Sequence, residues 1–151
     1  MPDNEYQHEA SFVDTMCKLA ESRNERDYWH GYRKGMVHSL PQTDKQASKD
    51  AHAAYDLTLL ETRRDQSRAV TALGYWDGLR WKSLGPVRDY AAPMTITQWL
   101  ARYGKVFGIS NERHVANMCR ETSHSVTGAR YRLPIPFIAQ KEGNQWRITR
   151  S

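Results

Sequence analysis

The first forty residues repeat apolar side chains at the spacing of an α-helix. From Glu9 the apolar face runs through residues 12–20, lapses at residues 22–24 and resumes through residues 28–40, where Pro41 ends it. This pattern predicts one long amphipathic helix.

A second long helical pattern follows a polar turn at residues 41–45. It runs from about Ala47 to Leu84, and Gly85-Pro86 is a typical stop signal. Two long amphipathic helices joined by a short turn predict an αα-hairpin at the N-terminus.

Two short segments of this hairpin resemble each other. Residues 28–33 and 75–80 match at a Tyr, a Trp, a Gly and an Arg. A helical glycine beside aromatic anchors is typical of a surface on which another helix packs closely; the alternative is a chance coincidence of core aromatics with tolerated glycines. The residues that this pattern predicts to bind a protein partner or a second copy are Tyr28, Trp29, Gly31, Tyr32, Tyr75, Trp76 and Gly78.

The pattern of apolar and polar residues changes after residues 86–93. A proline stands at each end of this segment, and we predict that it is a linker. Thr95 or Thr97 is a suitable cap for a short helix with its inner face at residues 96–103, and Gly104 is available to end it. Ser110 is a suitable cap for a second helix over residues 111–121, which buries Val115, Met118 and Cys119.

Two extended runs follow, at residues 131–139 and 145–149, separated by the turn-forming residues 141–144. Helix, turn, helix and β-hairpin is the order of a winged helix-turn-helix. We therefore expect a mainly α protein: a helical hairpin (1–85) for oligomerisation or partner binding, a linker (86–93), and a small winged helix-turn-helix with a β-hairpin wing (94–151).

Charge is distributed unevenly between these parts. Residues 94–151 hold nine Lys/Arg and three Asp/Glu, a net of +6, whereas residues 1–93 have a net of −1; together they give the chain's +5. Lys and Arg neutralise phosphates in the sequence-independent part of nucleic-acid binding, so we expect residues 94–151 to meet a polyanion.

The second predicted helix of this basic part carries side chains that suit a DNA major groove. Opposite its apolar face, Arg113, Asn117 and Arg120 align at i, i+4 and i+7; Arg suits guanine and Asn suits adenine. The alternative is a solvated polar face. We predict that residues 110–121 form the recognition helix and that residues 139–148 form the wing. The candidate DNA-binding residues are Arg102, Lys105, Asn111, Arg113, His114, Asn117, Arg120, Arg130, Arg132, Lys141, Asn144 and Arg147.

Residues 94–121 resemble the start of the phage lambda-type excisionases. The resemblance rests on Ile96-Thr97, Trp99, Ala101-Arg102, Ser110, Glu112, Val115 and Arg120-Glu121, followed by Pro134, Pro136, the turn 141–143 and Trp146. It implies a winged helix-turn-helix that places a helix in the major groove and a wing in the minor groove. In that family the protein bends DNA and recruits a recombinase without catalysing a reaction.

No catalytic, metal or cofactor pattern is evident. The six His are scattered, the acidic residues lack a paired spacing, and glycine-rich phosphate loops are missing. Residues 1–11 lack the apolar run of a signal peptide, and no apolar stretch is long enough to span a membrane. We therefore expect a cytoplasmic protein that is not an enzyme and has no cofactor.

Two functions remain open. The first is a duplex-DNA-binding protein, excisionase-like or transcription-regulator-like, of a phage or mobile element. The alternative is a non-catalytic interaction module, or an inhibitor of a host nucleic-acid machine, that acts through exposed aromatic side chains on the N-terminal helices.

Overall fold

The computed structural model describes residues 4–38, 63–123 and 132–151. Within these ranges the chain is mainly helical, with one two-stranded antiparallel sheet near the C-terminus, as predicted. No helix in these ranges is long and apolar enough to cross a membrane. The elements are α1 (Asn4–Leu19), α2 (Arg23–Val37), α3 (Arg63–Leu79), α4 (Ile96–Phe107), α5 (Glu112–Ser123), β1 (Phe137–Glu142) and β2 (Gln145–Arg150).

The first predicted helix is two helices, α1 and α2. The Ser22 backbone is extended, and its hydroxyl accepts a hydrogen bond from the Glu25 amide at 3.1 Å, so that Ser22 caps a new helix. The short break lets α2 fold back on α1, where Tyr32 donates to Glu9 at 3.1 Å. The prediction of one continuous helix is therefore wrong, and the antiparallel helical pair is α1 with α2.

The helices α2 and α3 run in the same direction across a very close contact. A Cβ atom added to Gly31 would lie 2.0 Å from the Thr71 carbonyl oxygen, and one added to Gly35 would lie 2.3 Å from the Tyr75 carbonyl oxygen. Because the contact advances by four residues on both helices together, they are parallel. The predicted hairpin of these two helices is wrong; its turn, and its second helix up to residue 62, lie outside the described residues.

One hydrophobic core contains residues from both predicted domains. Trp29 and Trp76 of the N-terminal helices belong to it together with Trp99 of α4. The predicted linker contributes Val87 and Tyr90, which are both buried. Val87 and Tyr90 of the predicted linker therefore belong to this core, and no division between two separate cores lies there.

The helix α4 begins and ends with standard capping structures. Thr95 accepts from the Gln98 amide while the Gln98 side chain accepts from the Thr95 amide, a capping box that confirms one of the two predicted caps. The helix passes through Gly104 and ends where Gly108 adopts a left-handed conformation (φ 68°). Gly104 is therefore not the stop signal that the sequence predicts.

The helix α5 starts one residue later than predicted. Asn111 Oδ1 accepts from the amides of Arg113 at 2.7 Å and His114 at 3.2 Å. Asn111, rather than Ser110, is thus the cap, because its side chain satisfies two amide groups that have no partner within the helix.

The β-hairpin confirms the predicted turn. Glu142 pairs with Gln145, which leaves Gly143 and Asn144 as a two-residue connection, with Gly143 at φ 62°. On the other edge of β2, the Ile148 backbone exchanges two hydrogen bonds with Met94, at 2.8 and 2.9 Å. The hairpin is thereby attached to the segment that leads into α4.

Candidate nucleic-acid interface

The helix α5 separates apolar from polar side chains. Val115 and Cys119 are buried in the core together with Met118. The opposite side exposes Arg113 and Asn117, and Arg120 lies one further turn along the same face. The structure therefore brings together the three side chains that the sequence predicts to read bases.

Further polar groups border this face. His114 is exposed beside it, whereas the Asn111 side chain is engaged in capping the helix. Arg120 Nη2 donates to Asn117 Oδ1 at 3.4 Å, and Arg120 Nε lies 3.9 Å from Glu121 Oε1. The Arg120 guanidinium is thus held beside Asn117, one turn along the helix.

The tip of the β-hairpin presents a second group of predicted residues. Lys141 and Asn144 are exposed, and the Lys141 ammonium lies 5.7 Å from the centre of the half-buried Trp146 ring. Arg147 Nε lies 3.4 Å from Glu142 Oε2 across the hairpin. A cleft of about 480 Å³ separates this tip from the start of α4 and from α5.

Arg102 does not belong to this surface. Its Nε donates to Asp77 Oδ1 at 2.8 Å, and its two other nitrogens donate to the carbonyl groups of Leu84 and Gly85 at 3.2 and 3.0 Å. Burial opposes the charge on Arg102, yet the Asp77 carboxylate holds the pKa of the guanidinium above its ordinary value. The prediction that Arg102 is a DNA-binding residue is therefore wrong: the residue joins α4 to α3.

Asp77 is fully buried at the centre of a polar network. It accepts from the hydroxyls of Tyr28 at 2.5 Å and Tyr103 at 2.6 Å, and Arg150 Nη2 lies 3.5 Å from its Oδ2. Burial raises the pKa of both tyrosines, so their hydroxyls remain protonated donors. The network connects α2, α3, α4 and β2.

Two members of this network, Asp77 and Arg150, were not predicted. The periodicity of apolar residues nevertheless contains a signal for each. Asp77 follows Val70 and Leu73 at i+7 and i+4, on the apolar face of α3. Arg150 follows Ile148 by two residues, and alternate residues of a strand share a face. Both positions are therefore on inward faces, although their charge suggests exposure.

Three further predicted DNA-binding residues occupy different environments. Lys105 is exposed on α4, and Arg132 is half-buried before the hairpin. Arg130 lies outside the described residues. Since Arg102 and Arg150 point inward, the basic excess of residues 94–151 that reaches the surface is smaller than the sequence count indicates.

The seven residues predicted to bind a partner contact this chain itself. Tyr28, Trp29, Tyr32 and Trp76 are buried, so the expectation of exposed aromatics is wrong; Tyr75 is half-buried. Gly31 and Gly78 do permit a close helix approach, but the approaching helix belongs to the same chain. Gly35 and Gly74, each four residues from one of these glycines on the same helix, were not predicted. Two glycines four residues apart on each helix are nevertheless a signal for close packing.

Among the described residues, no group of three or more His, Cys, Asp or Glu side chains is arranged to hold a metal ion. Comparison of the chain with protein-family models, with curated proteins and with solved structures found no match.

Proposed function

We propose that this protein binds duplex DNA through a winged helix-turn-helix, with α5 in the major groove and the β-hairpin against the adjacent backbone. The observation that carries the proposal is the exposed row of Arg113, Asn117 and Arg120 on a helix whose opposite face is buried. An α-helix fits the major groove, and these side chain types are ones that read base edges.

The arrangement around α5 supports this orientation. The helix α4 precedes it through a short turn at residues 108–111, and the hairpin tip with Lys141 and Asn144 lies across a cleft from α5. Lys105 and Arg132 add positive charge for phosphates, which fix the register of a protein on DNA. The resemblance of residues 94–121 to excisionases supports DNA contact in the same place.

Binding of the full-length chain to a labelled random-sequence duplex pool tests the proposal. Affinity should fall steeply with salt because bound counterions are released from the phosphates. The Arg113→Ala/Asn117→Ala variant should bind more weakly than the wild type. Arg68→Ala, which removes an exposed charge from α3, is the matched control and should bind as the wild type does.

A second comparison separates binding to phosphates from binding to bases. Lys105→Ala or Arg132→Ala should lower the salt dependence, and the slope should change by about 1 for each phosphate that is no longer neutralised. Absence of salt-sensitive binding by the wild type, or equal affinities for the wild type and the Arg113→Ala/Asn117→Ala variant, would contradict the proposal.

The alternative, a partner-binding module, depends on exposed aromatics around Gly31 and Gly78. The aromatic side chains Tyr28, Trp29 and Trp76 are buried, and each glycine is covered by a helix of the same chain. In the described part of the chain, Tyr28, Trp29 and Trp76 are therefore not available to a partner.

A further inference from the structure

A cleft of about 520 Å³ lies between α4 and the segment of residues 84–94 that leads into it. Its walls include apolar side chains, among them Val87 and Met94. Two arginines, Arg102 of α4 and Arg150 of β2, also line the cleft, and their side chains are only 15% and 3% exposed. The cleft therefore combines apolar walls with two largely buried positive charges.

The two guanidinium groups share one buried carboxylate. Arg102 Nε donates to Asp77 Oδ1 at 2.8 Å, and Arg150 Nη2 lies 3.5 Å from Asp77 Oδ2. The two tyrosine hydroxyls that donate to the same carboxylate are neutral. Arginine keeps its charge in proteins, so two positive charges meet one negative charge here. Within the described residues, this buried network has a net charge of +1.

The other charged side chains of the cleft lining are Arg88 and Asp89. Arg88 Nη1 pairs with the buried carboxylate of Glu9, so these two charges offset each other. Asp89 is exposed, and its Oδ1 accepts from the Ala91 amide at 3.0 Å. Water and salt screen an exposed charge far more than a buried one. The excess positive charge of the buried network is therefore not balanced from the lining of the cleft.

The guanidinium groups of the network also retain hydrogen-bond donors. Arg150 Nη1 donates to the Tyr90 carbonyl group at 3.1 Å and Nη2 donates to the Tyr103 hydroxyl at 2.5 Å. Arg150 Nε is buried and has no partner within the described part of the chain. Arg102 uses three of its five N–H groups. Because a buried donor without an acceptor is unfavourable, an acceptor supplied by a ligand would stabilise this arrangement.

We infer that the cleft binds a small organic carboxylate, with the carboxylate group against Arg102 and Arg150 and the apolar body beside Val87 and Met94. The N–H groups of a guanidinium match the two oxygens of a carboxylate, and a poorly solvated site strengthens their attraction. The cleft also has the size of small-molecule sites, which typically enclose about 300–1,000 Å³. This site is separate from the α5 surface and does not depend on DNA binding.

Benzoate and benzamide test the inference on the full-length chain, because they have nearly the same shape and differ in charge. NMR spectra of the ¹⁵N-labelled protein, at constant ionic strength, follow the Nε–H signals of Arg102 and Arg150. Benzoate should shift both signals to saturation and bind about tenfold or more tightly than benzamide, since only benzoate forms charge-assisted hydrogen bonds. Inorganic phosphate, which has charge but no apolar body, should bind more weakly than benzoate.

The variant Gln98→Glu places a competing carboxylate in the cleft without changing its size. Gln98 is exposed, lines the cleft and lies four residues before Arg102 on α4. Glutamate also suits its position in the capping box of this helix, so the fold should be kept. Benzoate binding should weaken by about fivefold or more, because an internal carboxylate already occupies the donors. Gln145→Glu, the same change at the exposed hairpin tip, is the matched control and should bind benzoate as the wild type does.

Three results would overturn the inference. Equal binding of benzoate and benzamide would show that the buried charge does not select the ligand. Equal affinities of the wild type and Gln98→Glu would show that benzoate binds outside this cleft. Tighter binding of phosphate than of benzoate would show that the cleft takes phosphate groups and not a carboxylate with an apolar body.

Discussion

Arg102 Nε donates to Asp77 Oδ1 at 2.8 Å, and this ion pair is enclosed between α4 and α3. The helix α4 is connected to α5 by only a short turn, so the pair attaches the proposed DNA-binding surface to the N-terminal helices. Arg102, which the sequence predicts to bind DNA, instead connects α4 to α3.

Removing the charge of Asp77 should destabilise the whole fold. In Asp77→Asn, Arg102 and Arg150 would remain buried without a carboxylate, a change that typically costs about 3–5 kcal/mol of unfolding free energy. Urea denaturation followed by circular dichroism measures this. Asp14→Asn breaks an exposed pair with Arg33 and is the control, which should change stability little. Equal midpoints for the two variants would contradict the role of Asp77.

Adding a methyl group between α2 and α3 should force the helices apart. In Gly74→Ala the new Cβ atom would lie 1.9 Å from the Tyr28 carbonyl oxygen, and backbone cannot yield as a flexible side chain does. Overpacking of this kind costs about 1–3 kcal/mol or more, even though alanine favours helix formation.

Thermal denaturation of Gly74→Ala and Gly31→Ala measures this cost. His30→Ala alters an exposed residue next to Gly31 and is the matched control. An unchanged or raised melting temperature in both glycine variants would show that the two helices do not need their backbone contact.

The sequence predicts the local elements better than their arrangement. The capping of α4 by Thr95, the polar face of α5 and the turn at Gly143 depend on neighbouring residues, and the structure contains all three. The direction of α3 relative to α2 depends on contacts between residues some forty positions apart. The periodicity of apolar residues within each helix does not reveal such contacts.

The same limit of prediction from local sequence applies to the candidate site. Side chain type and helical spacing identify Arg113 and Asn117 as exposed, but they place Arg102 on the surface as well. Its burial depends on Asp77, which lies 25 residues away and is a charged residue on an apolar face. Two opposite charges that pair in the protein interior can be recognised only from the packed structure, because the helices that carry them are far apart in the sequence.

Alkaline pH should unfold the protein through its buried tyrosines. Burial raises the pKa of Tyr28, Tyr32, Tyr90 and Tyr103 above the ordinary value of 10.0. Above that pH, the unfolded chain releases protons that the folded chain retains, so the free energy of unfolding falls as pH rises. Cys119 acts in the same direction from about pH 9, because burial raises the pKa of its thiol to about 12.

Urea midpoints between about pH 8 and pH 11 test this linkage. The midpoint should decline slowly above pH 9 and steeply above pH 10, and Tyr90→Phe should reduce the decline because one titrating group is gone. A midpoint that stays constant across this range would show that these hydroxyls ionise in the folded protein.

The segment 94–151 should not fold when it is separated from the rest of the chain. It would contain Arg102, Tyr103 and Arg150 without Asp77, and its share of the core would be exposed. The isolated segment should show no cooperative unfolding and little salt-sensitive DNA binding. Adding residues 1–93 in trans should restore both, and residues 1–93 with Asp77→Asn should restore them less well. Cooperative unfolding of the segment alone, at the midpoint of the full chain, would show that the buried network is not required for the fold of the DNA-binding part.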